Sequence, residues 1–119
     1  MNVAVVGASD KKDRFSYQAV MLLKEKGHNV FPVHQRISVI EEMKVFPSIK
    51  DVPEAIDTIS LYVAADISTA LSADLLAKKP RRIIFNPGAE NPLLADQAKQ
   101  QGVTPIEACT LVMLRSGQF

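Results

Sequence analysis

Apolar runs too short to be helices recur along this chain, and a longer segment with helical periodicity separates each from the next. Val3-Ala4-Val5-Val6 is the first of them and ends at Gly7. A β-branched run closed by glycine reads as a strand buried on both faces that finishes in a turn. The apolar spacing of Ala19, Val20, Leu22 and Leu23 then predicts a helix from about Ser16 to Lys26, with Gly27 at its C-terminal end. Asn29 to Val33, Thr58 to Val63, Arg82 to Phe85 and Val103 to Ile106 are further strand segments. Ser68 to Lys79 reads as a helix that Pro80 stops, and Asn91 caps a helix whose first position is Pro92 and which closes near Gln101. Thr110 to Leu114 is a short apolar terminal element.

A strand–helix–strand order of this kind requires a parallel sheet with right-handed crossovers. The expected fold is a single α/β domain over residues 1–119, a Rossmann-like doubly wound parallel β-sheet in a three-layer α/β/α arrangement. Only Arg36 to Glu54 is irregular. There, Val39, Ile40 and Met43 suggest a short helix, and Val45-Phe46 a short strand before Pro47. Asp51 followed by Pro53 suggests the start of a one-turn helix.

Composition narrows the classes of function. With 14 basic and 13 acidic residues the formal net charge is +1, which argues against a nucleic-acid or anionic-membrane partner. Cys109 is the sole cysteine, so no intramolecular disulfide forms, as suits a reducing compartment. Met1 runs directly into the first strand with no signal-like segment, and no apolar run is long enough to span a bilayer. A cytoplasmic location is expected. One cysteine and two histidines without ligand spacing predict no metal site.

In open parallel sheets, ligands bind beyond the carboxyl ends of the strands, where the strand order reverses. Four segments arrive there. Gly7-Ala8-Ser9 permits a tight turn and close approach of a ligand to the backbone, and Ser9 adds a hydroxyl. Lys11, Lys12 and Arg14 add positive charge just before a helix N-terminus, a combination suited to phosphate, although only the first glycine of a dinucleotide fingerprint is present. After the second strand, Val33 leads into His34-Gln35-Arg36, with no carboxylate to bind ribose hydroxyls until Glu41. A cationic reader there suits a ribose bearing an extra phosphate, which both NADP and coenzyme A carry. Tyr62-Val63-Ala64 ends the third strand, and Asn86-Pro87-Gly88 opens a defined turn expected to expose the Asn86 side chain at the ligand edge. Tyr17 and Tyr62 could stack on a ligand or sit partly in the core. Glu90, beside a helix N-terminus, reads as a capping carboxylate. Cys109 is a weak catalytic candidate, since a lone cysteine more often serves as a small buried hydrophobe.

Together these segments resemble the small single-domain CoA-binding proteins related to the CoA-binding domain of succinyl-CoA synthetase α subunits. The residues that carry the resemblance are Val3 to Ser9 with Arg14 and Tyr17, Phe31 to His34, Asp57 to Val63, Phe85 to Asn91 and Glu107 to Leu111. The resemblance implies that coenzyme A is the ligand, with NADP as runner-up. It further implies that Gly7 to Arg14 holds the pyrophosphate, chiefly through Ser9 and Arg14, and that His34 to Arg36 flanks the adenosine end. Tyr62 to Ala65 and Asn86 to Gly88 would line the remaining cleft. Gln35 stands where such proteins usually have proline, and Glu42 near where glycine is common. The expected role is a non-catalytic binding or regulatory module for CoA or an acyl-CoA. The alternatives are an NADP-binding oxidoreductase-like protein, or acyl or thiol transfer through Cys109. The stretch Thr110 to Leu114 either covers the sheet or meets a second copy in a homodimer.

Overall fold

A computed structural model describes residues 1–119. The strands are β1 (Asn2–Val6), β2 (Asn29–Val33), β3 (Val39–Ile40), β4 (Met43–Lys44), β5 (Thr58–Leu61), β6 (Arg82–Phe85) and β7 (Thr104–Glu107). The helices are α1 (Phe15–Glu25), α2 (Ala65–Ala77), α3 (Pro92–Gln100) and α4 (Thr110–Arg115). Five parallel strands form one sheet in the order β2-β1-β5-β6-β7. The chain winds outward from β1 in one direction to β2, then returns to place β5, β6 and β7 on its other side. The expected doubly wound sheet is borne out, and its order reverses between β1 and β5.

Side-chain alternation along β1 divides the core between two layers. Val3 and Val5 face α1 and α4, where they pack with Val20, Leu23 and Leu114. Ala4 and Val6 face α2 and α3, where they meet Leu75, Leu94 and Ala98. Val3 to Val6 are each at most 2% exposed, as a central strand covered on both faces requires. The outer strands tolerate Pro32 and Pro105 because each lies on a sheet edge, where one missing N–H leaves no ladder bond unmade.

Three expectations for the irregular region are corrected. Val39, Ile40 and Met43 are not helical: they form the antiparallel hairpin β3–β4, which pairs Val39 with Lys44 and Ile40 with Met43. The hairpin lets Ile40 reach the α1-side core at 1% exposure. Phe46 makes only a single parallel bridge, to Val33, in place of a strand. Asp51 does not open a helix; it ends a 3-10 turn, Ile49–Asp51, whose cap is the Ser48 hydroxyl accepting from the Lys50 N–H. Serine outcompetes aspartate here because the hydroxyl already stands ahead of the turn it caps. Helix α2 also begins at Ala65, three residues before Ser68, and the preceding strand ends at Leu61.

Gly7 ends β1 with φ +87°, in the left-handed region. A Cβ there would come within 2.8 Å of Val63 Cγ1 and 3.2 Å of the Tyr62 carbonyl carbon. Gly27 shares the conformation, at φ +89°, but a Cβ there would meet nothing within 4 Å. Gly27→Ala should therefore cost about 1 kcal/mol for the backbone conformation alone, and Gly7→Ala at least about 2 kcal/mol, because steric conflict is added. Urea unfolding of both variants checks this; equal losses would sink the steric argument.

The hairpin turn presents the opposite case. Glu41 and Glu42 hold φ of +46° and +69° without being glycine. A two-residue hairpin loop with both centres left-handed prefers Asn-Gly. Glu42→Gly should raise stability by about 1 kcal/mol in the same unfolding measurement.

Candidate functional site

The carboxyl ends of β1 and β2 open into a cleft of about 420 Å³, within the range usual for small-molecule sites. Its floor is Val6, Gly7 and Val33, and one wall is the chain from His34 to Arg36 together with Pro47, Ser48 and Ile49. The opposite wall is Val63 with Ile67, Leu71 and Leu75 of α2. The last three recur at four-residue spacing and so present one apolar stripe. Polar groups thus gather at the β2 side and apolar ones at the α2 side.

The loop after β1 is arranged around the Gly7 turn. The N–H groups of Gly7 and Ala8 both donate to the Val33 carbonyl, at 3.1 and 3.2 Å, which ties the loop to the end of β2. These two amides therefore serve the fold. Ser9 Oγ accepts from the Lys11 N–H at 3.1 Å, a local turn bond. Lys11, Lys12 and Arg14 are exposed. Arg14 is the N-cap of α1, and no side chain caps that helix; its first turn also holds no acidic residue. The N-terminus of α2, preceded by Ala64, likewise has no side-chain cap. By contrast, Asn91 Oδ1 accepts from the Leu94 N–H at 3.1 Å to cap α3, and Asn86 Oδ1 accepts from the Thr110 N–H at 2.8 Å at the start of α4. Helix α2 begins at Ala65, just past the cleft residue Val63, whereas α1 begins at Phe15, beyond the loop Ala8 to Arg14 that follows Gly7. A helix N-terminus with unpaired amides carries partial positive charge and favours an anion.

Asn86 does not present its side chain to a ligand, contrary to expectation. It is 1% exposed, and its Nδ2 donates to Ser60 Oγ and to the Leu61 carbonyl, both at 3.0 Å. Ser60 Oγ in turn lies 2.7 Å from Thr110 Oγ1. This buried knot joins β5, β6 and α4, and uses both ends of the Asn86 amide. Pro87 and Gly88 are exposed beyond it and do not line the cleft. Glu90, expected at a helix start, instead accepts from the Gly88 N–H at 3.0 Å and steadies the turn.

Among the remaining expected residues, Gly7, Val33, His34, Gln35, Arg36 and Val63 come together in the cleft. Ala8, Ser9, Lys12, Arg14, Tyr17, Tyr62 and Ala64 lie outside its lining. His34 Nδ1 accepts from the Arg36 N–H at 3.0 Å, which leaves the ring proton on Nε2 as a donor. Tyr17 Oη donates to Glu41 Oε1 at 2.9 Å, and this bond to a carboxylate raises the phenol above its ordinary pKa. Tyr62 packs in the α1-side core, with its hydroxyl buried and no hydrogen-bond partner; burial pushes its pKa up to about 12. Cys109 is half-buried at the start of α4, outside the cleft. His28 lies at the far edge of the sheet, its Nδ1 3.3 Å from the Met1 amine. No three His, Cys, Asp or Glu side chains converge to hold a metal ion.

Sequence reasoning missed Pro47, Ser48, Ile49, Ile67, Leu71 and Leu75. The signal that could have found the last three is their four-residue spacing along α2, which puts them on one face. Leu75 is fully buried in the core and Leu71 packs against it, while Ile67 on the same stripe remains 48% exposed at the cleft. Pro47 to Ile49 could not have been placed by any local pattern, because only the bridge of Phe46 to Val33 carries them to the cleft.

Known proteins share this fold. A crystal structure of an uncharacterized protein superposes with a TM-score of 0.94 at 33% identity, over 99% of this chain and 97% of that one. The dinucleotide-forming acetyl-coenzyme A synthetase 1 of Ca. Korarchaeum cryptofilum shares the fold, with a TM-score of 0.75 at 21% identity over 90% of this chain and 25% of its own. The ADP-forming acetate–CoA ligase II of Archaeoglobus fulgidus is 33% identical over 79 residues, 65% of this chain. The present chain spans only 12% of that ligase's length. A family model described as the CoA binding domain matches residues 1–115, and the chain belongs to that family.

Proposed function

We propose that this protein binds coenzyme A at the cleft between β1, β2 and α2, and that it acts as a binding module without chemistry of its own. The observation that carries the reading is the uneven capping of the helices. The two that follow β1 and β5, the strands flanking the reversal point, are α1 and α2 and have no side-chain cap, whereas an asparagine side chain accepts from one first-turn amide in each of α3 and α4. Phosphates would complete what no side chain supplies, with Arg14 and the lysines of the same loop adding charge. The cleft accommodates a nucleoside-sized group, and Arg36 and His34 at its polar wall suit a phosphorylated ribose. That combination favours coenzyme A over a ligand lacking the ribose phosphate.

The non-catalytic reading is supported by what surrounds the reactive groups. Cys109 stands outside the cleft, and Tyr62, whose pKa burial pushes up to about 12, stays protonated at physiological pH. His34 has no carboxylate partner, and its Nδ1 is held by the Arg36 amide. Hydride transfer to or from NADP and thiol transfer at Cys109 draw no such support.

Thermal unfolding with added nucleotides tests the proposal. A ligand at a hundredfold excess over its Kd stabilises by about 2.7 kcal/mol, which is several degrees of Tm for a chain of this size. CoA should give that shift and dephospho-CoA a smaller one. Equal shifts from the two, no shift from either, or an NADPH shift that CoA does not displace would overturn the reading. Arg14→Ala should weaken CoA about tenfold while leaving the Tm of the free protein near that of wild type.

A further inference from the structure

The polar wall of the cleft is made of two pieces that are not continuous in sequence, His34 to Arg36 and Pro47 to Ile49. The hairpin β3–β4 joins them, so its placement sets where both pieces stand. At its base, the His34 N–H donates to the Phe46 carbonyl at 3.0 Å and the Phe46 N–H to the Pro32 carbonyl at 2.9 Å. Next to its tip, Ile40 is buried against the α1-side core. At its tip, one side-chain hydrogen bond reaches the rest of the protein: Tyr17 Oη to Glu41 Oε1, 2.9 Å. That tip holds two non-glycine residues in left-handed conformations, an arrangement of raised energy that persists only where surrounding contacts hold it.

The residue at the other end of the bond matters equally. Tyr17 lies in the first turn of α1, the helix whose N-terminus has no side-chain cap. One hydrogen bond therefore spans from the uncapped helix start to the hairpin that carries the cleft wall. We propose that Tyr17 and Glu41 are positioning residues, whose bond holds the wall of the cleft and the N-terminus of α1 in one arrangement, so that a single ligand can engage both. The inference rests on the reading of this cleft as a coenzyme A site. The Tyr17 hydroxyl acts through Glu41 and does not touch the ligand. Without the bond the hairpin tip relaxes, and the ligand must order the wall as it binds, so affinity falls although no ligand contact is lost.

Calorimetric titration of CoA into the wild type and four variants tests this, together with amide hydrogen exchange on the free proteins. Tyr17→Phe and Glu41→Ala should each weaken CoA about three- to tenfold. The double variant should be no weaker than either single one, because both remove the same bond. Glu41→Gln removes the charge but keeps the accepting oxygen, and should bind like wild type. In the free proteins, the amides of His34 and Phe46 should exchange several-fold faster in Tyr17→Phe and Glu41→Ala, with those of β5 and β6 unchanged. The coupling is overturned if Tyr17→Phe weakens CoA while Glu41→Ala does not, since that would place the hydroxyl on the ligand. It is equally overturned if exchange at His34 and Phe46 is unaltered. If wild type fails to bind CoA, the coenzyme A reading falls, and the exchange measurement alone decides whether the bond positions the wall.

Discussion

The absent side chain at Gly7 is the constraint on which the arrangement of the site rests. Strand β1 is the one from which the winding turns both ways, so the chain leaving it must cross the mouth of the crevice that opens beside β5. It does so in a left-handed conformation, with the backbone of Tyr62 and the side chain of Val63 closer than van der Waals contact to where a Cβ would sit. A larger residue would push apart the two segments whose meeting defines the floor and one wall of the cleft. Because the Gly7 and Ala8 amides are both held by the Val33 carbonyl, the same turn also fixes the end of β2. Three strand ends are thereby brought to one point by a single permissive residue.

The four helices begin in two ways. Asparagine side chains each accept from one first-turn amide, Leu94 of α3 and Thr110 of α4, and these two asparagines are among the most buried polar groups in the protein, at 3% for Asn91 and 1% for Asn86. Each also reaches beyond its own helix: Asn91 Nδ2 donates to Ser68 Oγ of α2 at 2.7 Å, and Asn86 Nδ2 to Ser60 of β5. Buried amides in such roles rigidify the carboxyl edge of the sheet, since losing one partner would strand the others. Helices α1 and α2, which follow β1 and β5, start without that provision.

Much of the fold was legible from local pattern. The β-branched runs at Val3 and Thr58, the Asn91-Pro92 start of α3 and the glycine after α1 each announce their element, because burial on both faces and capping leave marks in a few adjacent residues. The hairpin at Val39 to Lys44 left no such mark: its turn is Glu-Glu, which carries no hairpin signal, and its apolar residues fit helix and strand spacing equally. Part of the cleft was also legible, since Gly7, Val33 to Arg36 and Val63 all stand at strand ends that parallel winding must gather on one edge.

By itself, the sequence determined that strands and helices alternate, that the sheet is parallel, and that a glycine turn with basic residues follows the first strand. These follow from periodicity, β-branching and the handedness of crossovers, which act over a few residues or on the order of elements. Only the tertiary structure decided the direction in which each side chain at that edge points. It turned Asn86 inward to knot β5, β6 and α4, sent Tyr17 to Glu41 across 24 positions of chain, and brought Ile67 and Ser48 to opposite walls of one cleft. The reason is physical: a buried amide or hydroxyl takes whichever partner the packing brings within about 3 Å, and that partner is set by distant parts of the chain.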